Sequence, residues 1–414
     1  MVKSHPRSAL FVVFAFAVAC ANGANDVADG GSGSGGGPED AGASDASTLR
    51  DALASNDAWP SYDGAPQNPN DTGDASSAFT DTGTPGCASG LTSCGQSCVD
   101  LKSNALHCGR CGRSCLGQPC SDAACAPVVV SSDFTATGRI ALDAANVYWT
   151  NGDGAVRRAP IAGGPSVTLA TAQSGPTGIA VDATNAYVAN KGSGTIVKIP
   201  LAGGAPVTLA SSQPNPHALA IDGANVYWTN LSSGAGNGTI MRCAIAGCGG
   251  APTTLATGLQ YAYGLAVDAT YAYWTTLNAG GQVHRAPVAG GLDAVFASSL
   301  VYPFSIALDA TSVVMLAYGQ AGQVFVAPSQ GGTPKLLAGN QSFPKEVTTD
   351  GVAAYWTFDN PASDGATVMK CELAGCNYQP LVLARGTQPC EAIVTDNTWA
   401  YWLSNDGKVL KTPK

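Results

Sequence analysis

The sequence predicts an all-β fold, a seven-bladed β-propeller, from three observations. A unit of about 40 residues recurs along the C-terminal two thirds of the chain. Each unit contains four short runs with strand-like alternation, separated by turn residues, as in the stretch GIAVDATNAYVANKGSGTIVKIPLAGGAPVTLAS over residues 178–211. Most units also carry a Tyr-Trp pair such as VYWTN or AYWTT. A repeat of this length with four strands is the mark of a propeller blade.

The number of repeat units follows from an aspartate that ends the first run of each unit. The seven copies are spaced 39 to 46 residues apart, at Asp143, Asp182, Asp222, Asp268, Asp309, Asp350 and Asp396. We interpret these aspartates as turn formers and not as a metal site, because a carboxylate accepts the backbone N–H two residues on. The fifth unit has Val314-Met315-Leu316 in place of the aromatic residues and keeps their apolar character.

The ends of the repeat region predict how the ring closes. The seventh unit, 391–414, has only three strands, which would leave an exposed edge. The segment PVVVSSDF before the first unit resembles the outer strands of the repeat. We therefore assign Val128–Ser131 as the fourth strand of the seventh blade.

Two repeat types known from propellers resemble these units. YWTN and YWTT are similar to the YWTD repeats of lipoprotein-receptor-type propellers, and YVANKGSGTI resembles the YVTN-type repeats of bacterial surface propellers. The likeness covers 128–414 and implies the fold. The terminal Asp of the YWTD motif is replaced here, so no ligand class is carried over.

The N-terminus predicts export. A basic start with Lys3 and Arg7 precedes the apolar run ALFVVFAFAVA, which is too short to span a bilayer. The following Ala17-Val18-Ala19-Cys20 resembles a bacterial lipobox, which implies that residues 1–20 are a signal peptide and that Cys20 is lipidated. Ordinary cleavage after Ala19 is the alternative. Ala21 is not the Asp of inner-membrane retention, so we expect an exported lipoprotein at the outer membrane or cell surface.

Two further segments lie between this N-terminus and the propeller of residues 127–414. Residues 21–86 hold eleven acidic residues and one basic residue among Gly, Ser, Ala and Pro, and we interpret them as a disordered linker. Residues 87–126 contain eight cysteines and resemble small Cys-rich modules of exported bacterial proteins. Disulfides are expected there, and zinc is the alternative because His107 and Cys108-Gly-Arg-Cys111 have ligand spacing.

Cysteines also occur inside the repeats. Cys243 and Cys248 flank one hairpin turn, Cys371 and Cys376 flank the equivalent turn of another unit, and each pair is predicted to form a cross-hairpin disulfide. Cys390 would then have no disulfide partner if Cys20 is lipidated.

The predicted binding site is the position five residues before each repeat aspartate. The repeats agree with one another elsewhere but diverge here, where the chain enters the innermost strand. Four of these residues follow a proline, and all seven should lie near the mouth of the central channel. The candidate binding residues are His217, Tyr263, Phe304, Lys345 and Glu391. Ordinary surface loops are the alternative interpretation of this divergence.

The functional prediction is a binding module for an unknown ligand of the cell envelope, either a glycan or a protein. The propeller has 14 basic and 16 acidic residues and no basic stripe, so nucleic acid is not an expected partner. We expect a monomer without a cofactor or metal. A propeller enzyme of lyase or hydrolase type is the alternative, with His217, Lys345 and Glu391 as its acid–base groups, although no HxH or HExxH spacing occurs. A purely structural envelope role is the third possibility.

Overall fold

The computed structural model describes residues 87–135, 138–231, 236–360 and 365–414. The predicted signal peptide, Cys20 and the predicted linker therefore lie outside the described residues. The described residues form two compact units, 87–100 and 101–414. They are built from strands and turns, and the described residues include no helix that could cross a membrane.

The smaller unit contains a hairpin whose two strands both carry disulfide-bonded cysteines. Its strands are β1 (Thr92–Cys94) and β2 (Ser97–Val99), which pair antiparallel. A disulfide joins Cys87 to Cys98, with their Cα atoms 5.5 Å apart. Cys94 is also disulfide-bonded.

The larger unit begins with the rest of the Cys-rich segment. Its only described strands before the propeller are β3 (Cys120–Ser121) and β4 (Ala124–Cys125), and disulfides join Cys108 to Cys120 and Cys115 to Cys125. Cys111 is disulfide-bonded as well. The zinc alternative is therefore not supported, because these thiols are consumed in disulfides.

The remaining strands form seven four-stranded antiparallel sheets, the blades of a propeller. Strands are given from the innermost to the outermost. Blades 1 to 3 consist of β6 (Ile140–Leu142), β7 (Asn146–Thr150), β8 (Val156–Pro160) and β9 (Val167–Ala170); β10 (Pro176–Val181), β11 (Asn185–Asn190), β12 (Thr195–Pro200) and β13 (Val207–Ala210); and β14 (Pro216–Ile221), β15 (Asn225–Asn230), β16 (Gly238–Ala244) and β17 (Thr253–Leu259).

The other four blades have the same order. Blades 4 to 6 consist of β18 (Ala262–Val267), β19 (Tyr271–Thr276), β20 (Gly281–Pro287) and β21 (Ala294–Leu300); β22 (Pro303–Leu308), β23 (Ser312–Ala317), β24 (Gly322–Pro328) and β25 (Lys335–Gln341); and β26 (Pro344–Thr349), β27 (Ala353–Asn360), β28 (Gly365–Glu372) and β29 (Leu381–Thr387). Blade 7 consists of β30 (Cys390–Thr395), β31 (Trp399–Ser404), β32 (Lys408–Pro413) and β5 (Val128–Ser131).

The ring closes through β5, as the sequence predicts. This N-terminal strand pairs with β32, with Val129 opposite Leu410 and Ser131 opposite Val409. Each inner strand contacts the inner strands of the two adjacent blades, and β30 contacts β6. The seven-bladed all-β fold is thus confirmed, and blade 7 has four strands like the other six.

The Tyr-Trp pair explains how the blades hold together. Both side chains are buried, the tyrosine against the following blade and the tryptophan against the preceding one. Tyr227 of blade 3 lies in one cluster with Trp274 of blade 4, and Tyr401 of blade 7 lies with Trp149 of blade 1. In blade 5, Met315 occupies the tryptophan position and packs in the same cluster as Tyr273. The residues of the repeat motif are therefore the core of the fold.

The repeat aspartates are turn residues. In every unit one carboxylate oxygen accepts the backbone N–H two residues on, as from Ala224 to Asp222 at 2.7 Å. The same contact occurs at the other six positions. In five units the second oxygen also accepts the tyrosine hydroxyl, as from Tyr227 at 2.6 Å. Because of burial and this bond to the carboxylate, the pKa of the Tyr227 hydroxyl is raised far above its ordinary value.

The two cysteine pairs inside the blades occupy the predicted hairpins. Disulfides join Cys243 to Cys248 and Cys371 to Cys376, with Cα separations of 5.4 Å and 5.5 Å. Cys390 carries a buried thiol.

Candidate functional site

The candidate site lies on one face of the propeller, which we call the top face. It is the end at which the inner strand of each blade begins and the second strand ends. A backbone hydrogen bond marks it: the N–H of Tyr318, just after β23, donates to the carbonyl of Tyr302, just before β22, at 2.9 Å. Equivalent bonds join Lys191 to Gly175, Leu231 to Asn215, Leu277 to Tyr261, Asp359 to Phe343 and Asn405 to Pro389.

A β-bulge lies at the start of the inner strand in blades 2 to 7. The register between the inner and second strands shifts there, and in each blade the residue at the predicted site position falls inside the irregularity. A bulge leaves a residue out of regular pairing and redirects its side chain, which is why bulges are frequent beside binding sites. The bulge residues are Thr177, His217, Tyr263, Phe304, Lys345 and Glu391.

The rings of three of the five predicted binding residues pack against one another in tilted contacts. The ring centroids of His217 and Tyr263 are 4.5 Å apart, and those of Tyr263 and Phe304 are 4.4 Å apart. The series continues from Phe304 to Tyr318 at 5.1 Å and from Tyr318 to Phe343 at 5.6 Å. We call this series the aromatic ladder. Tyr263 is only 2% exposed, so its ring packs mainly against its neighbours in the protein.

His217 is a buried polar group in this ladder. Neither of its ring nitrogens has a hydrogen-bond partner within the part of the chain that the structure describes. Burial, together with the positive charges of Arg139 and Lys191, holds the pKa of His217 well below its ordinary value. The imidazole is therefore neutral at pH 7, with one donor nitrogen and one acceptor nitrogen. A buried polar group without a partner costs about 1–3 kcal/mol.

Lys345 and Glu391, the other two predicted residues, lie on blades 6 and 7. Lys345 forms an ion pair with Asp359 at 3.4 Å. Burial raises the pKa of the Asp359 carboxyl, against the opposing effect of the Lys345 charge. Glu391 is buried, and none of the described residues forms a hydrogen bond with its Oε2. His217 is not hydrogen-bonded to Glu391 or Lys345. The arrangement is suited to holding a ligand.

Sequence reasoning missed three aromatic residues two positions before the bulge. Tyr261, Tyr302 and Phe343 occupy equivalent places in blades 4, 5 and 6, with φ of 49°, 49° and 46°. The same position in blades 2 and 3 is Gly175 and Asn215, both with φ of 57°. The three aromatic side chains are partly exposed. Aligning the repeats on the bulge would have found them, since aromatic residues replace glycine and asparagine there.

The comparisons with known proteins concern the fold. Neither a protein-family model nor a curated protein sequence matches this chain. A chain of the crystal structure of a nidogen/laminin complex is similar to it, with a TM-score of 0.44 and 20% identity, over 56% of this chain and 91% of that chain. The computationally designed Ika8 protein is similar with a TM-score of 0.47 and 15% identity, over 70% of this chain and 93% of that one.

The protein class is thus a seven-bladed β-propeller preceded by disulfide-bonded segments. Its distinctive surface is a face on which bulge residues and aromatic side chains diverge between blades.

Proposed function

We propose that this chain is a binding protein whose propeller recognises a ligand on the top face. The observation that carries the proposal is His217. Its neutral imidazole lies in a bulge, is buried beside the Tyr263 ring, and has no hydrogen-bond partner for either nitrogen among the described residues. A group of this kind destabilises the free protein and becomes favourable when a ligand supplies the missing hydrogen bond.

The divergence between blades supports the same conclusion. The packing residues of the blades repeat, whereas the bulge position holds an imidazole, two aromatic rings, an amine and a carboxylate in blades 3 to 7. A recognition site on a symmetric scaffold requires positions that break the symmetry, because different parts of a ligand need different partners.

We also propose that the protein is exported and held at the cell envelope through lipidated Cys20, with residues 21–86 as its tether. The support is the signal-like N-terminus and the many disulfides, which fit an oxidising compartment. The ligand would then be an envelope glycan or protein. Mass spectrometry of the mature protein checks the anchor: a diacylated N-terminal Cys20 is expected, and an unmodified N-terminus contradicts it.

Binding is tested with the full chain carrying Cys20→Ala, so that it stays in solution. The probe is an envelope fraction of the producing cells, and the measurement is co-sedimentation over a range of fraction concentrations. His217→Phe keeps a ring in the ladder and removes both nitrogens, so it should weaken binding with little loss of folding. Tyr378→Asn is the control, because Tyr378 is an exposed residue of the hairpin after β28, on the opposite face. If His217→Phe binds as the wild type does, or the wild type does not bind, the proposal is wrong.

A further inference from the structure

The three aromatic residues before the bulges adopt a backbone conformation that their side chains disfavour. A bulky residue with φ near +50° is rare, whereas glycine and asparagine accept this region readily. Blades 2 and 3 build the same turn with Gly175 and Asn215. The turn therefore does not require Tyr261, Tyr302 or Phe343, and each of them adds backbone strain.

These residues concentrate on three consecutive blades. Tyr261 belongs to blade 4, Tyr302 to blade 5 and Phe343 to blade 6, and all three are partly exposed, unlike the buried Tyr263 and Phe304. Tyr318 connects the set to the aromatic ladder, with its ring 5.1 Å from Phe304 and 5.6 Å from Phe343. We call Tyr261, Tyr302, Tyr318 and Phe343 the aromatic arc. All four of its residues are partly exposed.

The same face holds buried polar atoms that have no hydrogen-bond partner in the described ranges of the chain. They are Asn215 Oδ1, both nitrogens of His217, Asp359 Oδ1 and Glu391 Oε2. Three of the five are obligate acceptors, and the neutral imidazole adds a further acceptor. A ligand that fits them must carry several hydrogen-bond donors.

Charges of both signs lie among the described residues of this face. Arg139, Lys191 and Lys345 are cations and Glu346, Asp359 and Glu391 are anions, while Arg157 with Asp153 and Lys408 with Asp406 form ion pairs. Anionic polymers need a surplus of basic groups, and cationic ligands need a surplus of carboxylates, so neither is favoured. The complementary ligand is electrically neutral, rich in hydroxyl donors and apolar on at least one face.

We propose that the top face binds a neutral saccharide, with the C–H face of a sugar ring against the aromatic arc and its hydroxyls donating to Asn215, Asp359 and Glu391. This inference rests on the proposed binding function and specifies its ligand class. A sugar ring combines an apolar face with donor groups around its edge, which matches a site with aromatic lining and a few convergent polar atoms.

The test is isothermal titration calorimetry of the full chain carrying Cys20→Ala with chitopentaose, cellopentaose and maltopentaose. At least one of these neutral oligosaccharides should bind. Tyr302→Asn copies the residue that blade 3 has at this position, so it should fold as the wild type does and lose about tenfold or more in affinity. Phe343→Asn provides a second variant if Tyr302→Asn fails to fold.

Tyr378→Asn is the matched control for this substitution. Tyr378 also has positive φ, 56°, but it is 68% exposed and lies on the opposite face. Its replacement should leave the affinity unchanged. The saccharide proposal is overturned if none of the three oligosaccharides binds, or if Tyr302→Asn and Phe343→Asn bind as tightly as the control variant.

Chemical or enzymatic treatment of the envelope fraction distinguishes failure of the saccharide proposal from failure of the proposed binding function. Periodate oxidation destroys vicinal diols of sugars, and protease digestion removes proteins. If periodate abolishes binding and Tyr302→Asn weakens it, the result supports the saccharide proposal. If Tyr302→Asn weakens binding but only protease abolishes it, the saccharide proposal is wrong and the top face remains a binding site. If neither Tyr302→Asn nor His217→Phe alters binding to the fraction, both proposals fail.

Discussion

Lys414 forms an ion pair with Asp350, with the amine Nζ 2.5 Å from the carboxylate Oδ2. The contact joins blade 7, which Lys414 follows, to the repeat turn of blade 6. The same carboxylate accepts the hydroxyl of Tyr355 at 2.8 Å, and the amine also donates to the carbonyl of Asp396 at 2.6 Å. Burial alone would raise the pKa of Asp350, but the hydrogen bond from Lys414 and those from the turn outweigh it and lower the pKa to about 2.

The ion pair between Lys414 and Asp350 should make the free energy of unfolding depend on pH. The pKa of Asp350 in the folded protein lies below its unfolded value, so its contribution is fully present above pH of about 4 and is lost as the pH falls toward 2. Lys414→Gln should lower the free energy of unfolding by on the order of 1–2 kcal/mol at pH 7 and by little at pH 2. Urea unfolding at several pH values measures this difference.

Lys408→Gln is the control for Lys414, because Lys408 pairs with Asp406 in a more exposed position. Exposed pairs contribute about 0–1 kcal/mol, so this variant should show a smaller effect at pH 7. If both variants lose the same unfolding free energy at pH 7, the ion pair between blades 6 and 7 stabilises the protein no more than an exposed ion pair does.

Ring closure through β5 gives a second prediction. Val130 is buried in the cluster that contains Trp149 of blade 1 and Tyr401 of blade 7, whereas the adjacent Val129 is 48% exposed. Val130→Asp places a carboxylate in this cluster and should lower the free energy of unfolding by at least about 3 kcal/mol. Val129→Asp, on the same strand and facing solvent, should change it by less than about 1 kcal/mol. Chemical denaturation compares the two, and similar stabilities would mean that β5 does not close the ring in solution.

The sequence contained enough information for the blade count and the closure. Both follow from a periodic pattern, since each unit repeats the same turn aspartate and aromatic strand, and counting strands leaves one place for Val128–Ser131. The bulge positions could also be singled out from the sequence, because their divergence stands out against the agreement elsewhere in the repeat.

Two features of the site could not be predicted from the sequence. The orientation of Tyr263 and Phe304 depends on the bulges, which turn both rings into the ladder and bury them, whereas the sequence suggested direct ligand contact. Tyr302 was missed because an aromatic residue at positive φ contradicts its own backbone preference. Such conflicts between local preference and fold are expected at functional positions.

Arg113 links the Cys-rich segment to the propeller and supplies a third prediction. Its buried guanidinium donates to the carbonyls of Val382, Leu383 and Pro413 at 3.0–3.2 Å. Burial, with the nearby charge of Arg110, lowers the pKa of Arg113 to about 10, so it remains charged at pH 7. Arg113→Met would leave these carbonyls without their donor and should cost about 3 kcal/mol of unfolding free energy.

Arg110→Met is the matched control for that substitution. Arg110 is 47% exposed and pairs with Glu372 at 3.3 Å, a contact of the kind that contributes little. Thermal and chemical unfolding of the two variants, with the disulfides intact, give the comparison. A loss as small for Arg113→Met as for Arg110→Met would show that the carbonyl contacts do not hold this segment to the blades.

The last prediction separates the two kinds of aromatic residue on the top face. Tyr263 lies between His217 and Phe304 and is 2% exposed, so Tyr263→Ala removes a packed ring and should lower the free energy of unfolding by about 3–5 kcal/mol. Tyr302 is partly exposed and has φ of 49°, a conformation that asparagine tolerates better. Tyr302→Asn should therefore leave stability unchanged or raise it by up to about 1 kcal/mol.

Urea unfolding of the wild type, Tyr263→Ala and Tyr302→Asn measures both values under one set of conditions. A stabilised Tyr302→Asn that also loses ligand affinity would mean that this tyrosine is retained for recognition at the expense of stability, as strained residues at binding sites are. If Tyr302→Asn instead destabilises the protein as much as Tyr263→Ala, the aromatic arc is a packing element. The strain at Tyr261, Tyr302 and Phe343 would then be offset by contacts within the blades, and the saccharide site would lose its main support.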